Sequence, residues 1–583
     1  MVFQDFDHLS ERRRAERRQK AKKRIVIAAI SSLAIAGVIA GTIIGIDHRN
    51  AAAASPEHPH DTNQVSHPQK AIEMICQSTD YKDTCKSTLV KAVKKDPSMS
   101  QPKDLLKLAV QSTQDEVQAA FDKAKSLKFD SPREKAAFKD CKVLIDDALT
   151  ELRSSVAGVS DIKKLSQRTP DLNNWLSAVM SYRETCIDGF PEGKSKGDMN
   201  KTLQVAKELT SNSLAIIGEV SSFLSSLHDP GAARHLLEEP ADDEGLPAWI
   251  NNEERRILKG KPKAKPKPNV IIAKDGSGNF TTINAALAAM PKEYTGKYII
   301  YIKAGTYNET VVVTTNMINV LMYGDGSQKT IITGNKNYVD GVSTYLTASF
   351  AALGEGFMAQ AMGFRNTAGP DKHQAVAIRV QADRAILLNC RFEGYQDTLY
   401  AQTHRQFYRS CVIAGTVDFI FGDAAAIFQN CLIIVRKPLD NQQNIVTAQG
   451  RTDRHETTGI VIQNSRIVSD KELVPVKNVI PSYLGRPWKE FSRTIIMECS
   501  IDNFIHPDGF LPWMGDFALD TLYYAEYDNK GPGAKLDGRV HWAGYKRKFT
   551  RQDAMKFTVG PFLEQNDTWV QQSGVPVHYG LFQ

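Results

Sequence analysis

Asn389–Tyr400 reads NCRFEGYQDTLY, Ser410–Gly422 reads SCVIAGTVDFIFG, and a third segment opens at Asn430 with NCLIIV. The openings lie 21 and then 20 residues apart, and looser copies begin at Asn464 (NSRIVSD) and Glu498 (ECSIDN). A short β-branched run closed by turn residues and repeated about every 20 residues marks a solenoid whose coils are the repeats. Leucine-rich repeats share that length, but their consensus is missing. The pattern therefore predicts a parallel β-helix, with equivalent residues of adjacent coils stacked at the ~4.8 Å spacing of neighbouring strands.

In that register Asp397 and Asp418, 21 residues apart like Cys390 and Cys411, occupy equivalent positions on adjacent coils. Gln396 precedes the first carboxylate, and Gln374 lies 22 residues before Gln396. Two facing carboxyls cannot both ionise cheaply: one stays protonated as an acid while the other serves as base or nucleophile. An inert ladder of turn aspartates has the same register. The flanking glutamines and the apolar Phe419, Ile420 and Phe421 favour a reactive site. His373 invites a histidine-base reading, but a lone histidine beside a strand is more often structural or solvated. The region has no G-x-S-x-G elbow, no H-E-x-x-H zinc motif and no Gly-rich phosphate loop, so the chemistry calls for neither cofactor nor metal.

Strand texture of this kind begins at Val270, and residues 269–583 form the expected β-helix domain. Before it, residues 69–227 contain little Gly or Pro and carry apolar residues at helical spacing, as at Leu172, Trp175, Leu176 and Val179 behind a cap at Asp171. This predicts an all-α domain, a bundle of four helices. Residues 228–268 are first acidic, then basic and Pro-rich; they read as a linker, with Arg255, Arg256, Ile257 and Leu258 as a processing segment open to a protease.

Ile25–Ile46 contains no charged residue and as a helix spans the ~30 Å of a bilayer core. The strongly basic residues 1–24 keep the N-terminus cytosolic, so 25–46 reads as a signal anchor, 47–68 as a tether, and everything beyond as exported. Export makes the sequons at Asn200, Asn279, Asn308 and Asn566 candidate glycan sites and permits disulfides. Cys76 with Cys85 and Cys141 with Cys186 is one of three pairings open to the first four cysteines.

Composition, 42% hydrophobic and 24% charged over 583 residues, excludes wholesale disorder and collagen-like chains. From Lys259 onward there are 36 basic and 29 acidic residues, so the whole net charge of +7 lies there and suits a polyanionic partner.

GTYNE from Gly305, QAVAI from Gln374, GYQDTLY from Gly394, GTVDFIFG from Gly415 and LGRPW from Leu484 resemble, in order, the signature motifs of plant pectin methylesterases. Cys76–Cys85 and the stretch Trp175–Phe190 resemble the pectin methylesterase inhibitor and invertase inhibitor family, which supports the local cysteine pairing. The resemblance implies a right-handed parallel β-helix behind a helical pro-domain. It implies hydrolysis of C6 methyl esters of homogalacturonan, with Asp418 as nucleophile, Asp397 as proton donor and then base, and Gln396 and Gln374 holding the oxyanion. Thr344, Gln374, Arg486 and Trp488 match substrate-holding positions, although Trp488 as core packing and Arg486 as an ion-pair partner of Asp418 are also plausible. Cys411 and Cys431 match the family's bridge.

The partners implied are pectin, the chain's own pro-domain, free inhibitor proteins, a processing protease and, through residues 25–46, a membrane; nucleic acid is not among them. The product is destined for the cell wall. Rival readings are a β-helical lyase or galacturonase, separable by product analysis, and a catalytically dead pectin-binding or inhibitor protein.

Overall fold

The computed structural model describes residues 67–161, 164–228, 266–565 and 567–582. The anchor at 25–46, the processing segment Arg255–Leu258 and Asn566 lie outside the described residues. Among those described, no helix is long and apolar enough to cross a membrane. The chain divides into two compact units, one of Met1–Ser126, Leu149–Leu176 and Lys201–Glu238, the other of Leu127–Ala148, Ser177–Asn200 and Glu239–Gln583.

The helices are α1 (His67–Ile75), α2 (Lys82–Lys95), α3 (Pro102–Ala124), α4 (Pro132–Val159), α5 (Leu165–Asp188), α6 (Lys194–Thr202) and α7 (Gln204–His228). The four long ones are α3, α4, α5 and α7, and the N-terminal region is helical as expected. In the first unit α3 and α7 meet through Thr113 and Ser213, whose buried hydroxyls lie 3.0 Å apart. Cys76–Cys85 ties the turn that follows α1 to α2, and Cys141–Cys186 joins α4 to α5, the local pairing expected. Asp171 is not a helix cap. α5 begins at Leu165 and carries Pro170 inside it. Proline in a second turn removes one N–H, a smaller loss than the burial of Leu172, Leu176 and Val179 regains.

The β-helix consists of three all-parallel sheets of ten, seven and eight strands, and each complete coil adds one strand to each sheet, the end coils being partial. Strand Leu399–Ala401 pairs with Ile378–Val380 on one side and Ile420–Gly422 on the other. The openings of the sequence repeat mark a bend. Ala361, Asn389, Ser410, Asn430, Asn464, Glu498 and Asp528 all have φ between 45° and 58°. The left-handed region tolerates Asn and Asp best, which explains why Asn recurs there. The residue after all but the last of these bends turns inward: Met362, Cys390, Cys411, Cys431, Ser465 and Cys499 are all buried. Phe350, Phe364, Phe392, Tyr408 and Phe428 stack through the interior at centroid distances of 4.4–6.0 Å.

This inward ladder corrects one expectation. Cys411 and Cys431 are both free thiols here, as are Cys390 and Cys499. Stacked in parallel on successive coils, each sulfur turns to a carbonyl of the preceding coil: Cys411 Sγ lies 3.2 Å from Leu387 O, and Cys431 Sγ 3.7 Å from Tyr408 O.

Two elements finish the solenoid. A short helix, Ile283–Ala288, capped by Thr282, buries Ile283, Ala286 and Leu287 against the first coils. At the other end of the chain, Phe562, Leu563, Trp569, Val570 and Leu581 pack on outward residues of the ten-stranded sheet, among them Met358, Ile386, Phe407, Val461 and Ile495. Asp567 pairs with Arg384, while His578 O and Gly580 O accept from Gln429 and Gln463.

Candidate active site

Asp397 and Asp418 each stand two residues ahead of the paired Leu399 and Ile420, so strand register stacks them on adjacent coils. Asp397 N donates to Val417 O at 3.0 Å. Both aspartates have left-handed backbone, φ 60° and 51°, and are nearly buried at 7% and 5% exposure. Held strain of this type is common where side-chain aim matters.

Arg486 supplies the charge balance. Its Nε donates to Asp418 Oδ1 at 2.8 Å and its Nη2 to Oδ2 at 2.5 Å, a two-pronged clamp. Burial pushes the Asp418 carboxyl upward, and the guanidinium opposes that rise. Asp397 lacks such a clamp: burial and the neighbouring Asp418 charge hold it well above the usual carboxylate range. The pair is thus electrically split, one carboxyl favoured as an acid and the other as an ion-paired carboxylate.

Gln374 and Gln396 are half-buried on adjoining coils, linked by the Ala375 N to Gln396 O hydrogen bond. Thr344 opens a short turn, Thr344–Leu346, whose Thr347 hydroxyl accepts from Val376 N at 3.1 Å, two residues along from Gln374. Trp488 stands edge-on to Phe421 at 5.9 Å, and Phe421 stacks on Tyr400 at 4.3 Å. With Ala348, Val376 and Ala448 these rings form an apolar strip on the sheet bearing the acidic pair. The structure therefore gathers Gln374, Gln396, Asp397, Asp418, Arg486 and Trp488 on neighbouring coils. His373 is exposed, with φ 55°.

Sequence reading missed Tyr400 as part of the strip and Trp513, whose ring lies 4.3 Å from the Arg486 guanidinium carbon. Tyr400 was findable, since it repeats Phe421 at the 21-residue interval. Trp513 belongs to an insertion with no repeat to align; Leu511 N reaches it to the coil edge at Gly485 O.

The helical stretch 177–200 belongs to the same compact unit and makes polar contacts along this strip. Ser181 Oγ donates to Gln402 O at 2.9 Å, and Thr185 and Tyr400 share a hydrogen bond of 3.0 Å. Lys489 Nζ lies 3.1 Å from Glu184 Oε2 and 2.8 Å from Asp188 Oδ1.

The pectinesterase family model matches residues 269–567. The chain belongs to the pectinesterase family. It is a carboxylic ester hydrolase of that family, and residues 70–216 match the plant invertase/pectin methylesterase inhibitor model. A putative pectinesterase/pectinesterase inhibitor 45 of Arabidopsis thaliana is 49% identical over the full length of both chains. Pectinesterase 1 of Citrus sinensis is 42% identical over 96% of each. Among solved structures, the pectin methylesterase from carrot is 49% identical with a TM-score of 0.54, covering 55% of this chain and all of that one.

Proposed function

We propose that this pectinesterase removes C6 methyl esters from homogalacturonan by nucleophilic catalysis on its paired aspartates. The observation that carries the reading is the split pair: Asp418 clamped by Arg486, Asp397 beside it with its carboxyl pushed high. Asp418 attacks the ester carbonyl, forming an acyl-enzyme, while Asp397 gives its proton to the departing methanol. Asp397, now ionised, takes a proton from water, which attacks the acyl carbon and frees the carboxylate and Asp418. Gln396 and Gln374 donate to the oxyanion; loss of one such donor typically costs about 10²–10³ in rate. Thr344, Arg486 and Trp488 hold the sugar chain, Trp488 with the apolar strip beneath it.

The helical pro-domain is read as an intramolecular inhibitor. Contacts of Ser181, Thr185, Glu184 and Asp188 with Gln402, Tyr400 and Lys489 support this, because they occupy the strip a sugar chain would need. Release then follows export: anchoring through residues 25–46, cleavage at Arg255–Leu258 and delivery to the cell wall. Glycans at exposed Asn200, Asn279 and Asn308 fit the same route.

Methanol release from methylated pectin by the wild type and by Asp418→Ala tests the chemistry. Release that survives Asp418→Ala, or chain scission without methanol, refutes it; release from neither protein favours a pectin-binding protein.

A further inference from the structure

Lys489 is a cation whose carboxylate partners come from a helix that is not part of the β-helix. Its side chain is 16% exposed, and the carboxylates at its Nζ are Glu184 and Asp188, one turn apart on α5. The other cations along the site are engaged within the β-helix itself. Arg486 is clamped on Asp418, and Arg379 donates to Gln381 and Gln402 while lying 3.9 Å over the Tyr345 ring. Take α5 away and Lys489 remains beside the strip with its ammonium uncompensated, 5.3 Å from the centre of the Trp488 ring.

The helical carboxylates are placed at a cost. Asp188 Oδ2 is buried without a hydrogen-bond partner, so this carboxylate is less well solvated than it would be in water. Two further acids, on α4, accept from neutral groups of the β-helix: Asp140 from the Ser343 hydroxyl at 2.7 Å and Asp147 from the Gln381 amide at 2.8 Å. A row of carboxylates laid along sugar-binding coils has the chemistry of a de-esterified galacturonan.

We propose that Lys489 receives the C6 carboxylate of an already de-esterified galacturonosyl unit near the ester being hydrolysed, and that Glu184 and Asp188 stand in for that carboxylate in the full chain. This rests on the reading of the pro-domain as an inhibitor. Lys489 is then a specificity determinant, favouring chains that carry free carboxylates near a remaining ester. A lysine suits the task, because a compact ammonium on a flexible stem binds a carboxylate as a point charge without demanding one fixed orientation.

The test uses the full chain opened by Glu184→Gln and Asp188→Asn, with Lys489, Lys489→Arg or Lys489→Met, and measures methanol release at low salt. Each protein is assayed on fully methyl-esterified and on sparsely esterified, carboxylate-rich galacturonan, and the ratio of the two kcat/KM values is compared. Lys489→Met lowers the carboxylate-rich to fully esterified ratio about 10-fold, the factor expected for one charge-assisted contact. Lys489→Arg, which keeps the charge, retains the ratio within about threefold. Equal losses on both polymers, or an unchanged ratio, overturn the assignment. So does an opened chain silent on both polymers, because the acidic pair would then not be competing for a substrate-binding cation. Were the opened chain no more active than the wild type while both work, the inhibitory reading would fail, and the ratio would still judge Lys489.

Discussion

Arg486→Met isolates the role of the clamp. In the wild type both oxygens of Asp418 accept from one guanidinium, at 2.8 and 2.5 Å, and the side chains are only 21% and 7% exposed. Removing one partner of a buried pair costs about 3–5 kcal/mol, and the partial exposure of Arg486 argues for the lower end. About 3 kcal/mol at 1.36 kcal/mol per pH unit raises the pH at which Asp418 ionises by about two. In the proposed reaction ionised Asp418 is the nucleophile, so the acid limb of the activity profile moves to higher pH by that amount. Since Asp397 is coupled to it, the limb belongs to the pair rather than to either residue. Below the wild-type limb the variant loses about 100-fold, and the loss shrinks as the pH rises through the shifted limb. Arg486→Lys keeps the charge but not the fork, and shifts the limb about half as far. The assay is methanol release from methylated pectin across pH 5–9. A loss of the same factor at every pH, with the limb in place, would refute the electrostatic role and leave Arg486 a mere packing group.

Gly450→Ala puts a methyl group 2.9 Å from Trp488 Cε3, so the ring must shift off its edge-on contact with Phe421; KM for pectin rises several-fold while kcat changes less, read by initial rates. Burial alone would raise Asp383, but Arg405, bonded to it at 2.6 and 3.0 Å, outweighs that and holds its carboxyl far below the usual range. Its contribution is therefore present above the unfolded-state value of about 4 and fades as the pH falls below it. Asp383→Asn should lower stability by about 3 kcal/mol at pH 7, with a gap that narrows below about pH 4 in urea melts; a gap constant with pH counts against the ion pair.

The coil repeat was legible because each coil needs one left-handed bend, and Asn fills that bend at 389, 430 and 464. The same regularity exposed Asp397 and Asp418. It misled at the cysteines, since a stack of small inward residues yields cysteines at coil spacing whether or not they bridge. The clamp on Asp418 was readable only as one of two roles for Arg486, which lies 68 residues downstream across coils of unequal length. Trp513 was hidden in an insertion. The start of α5 was misplaced because Pro170 argues locally against a helix that burial of the following leucines enforces.

A stack of coils that touch only their neighbours ought to melt piecemeal, fraying from either end. The last thirty or so residues forbid that here. By lying across the ten-stranded sheet and fastening in turn to Arg384, Gln429 and Gln463, they join the coil of Arg384 to two later coils that it does not itself touch. The strap makes early and late coils share one fate, so the scaffold under the acidic pair is completed only when the C-terminus is in place. A ribosome releasing the chain a few dozen codons early would leave every active-site residue synthesised and the device that keeps them in register missing.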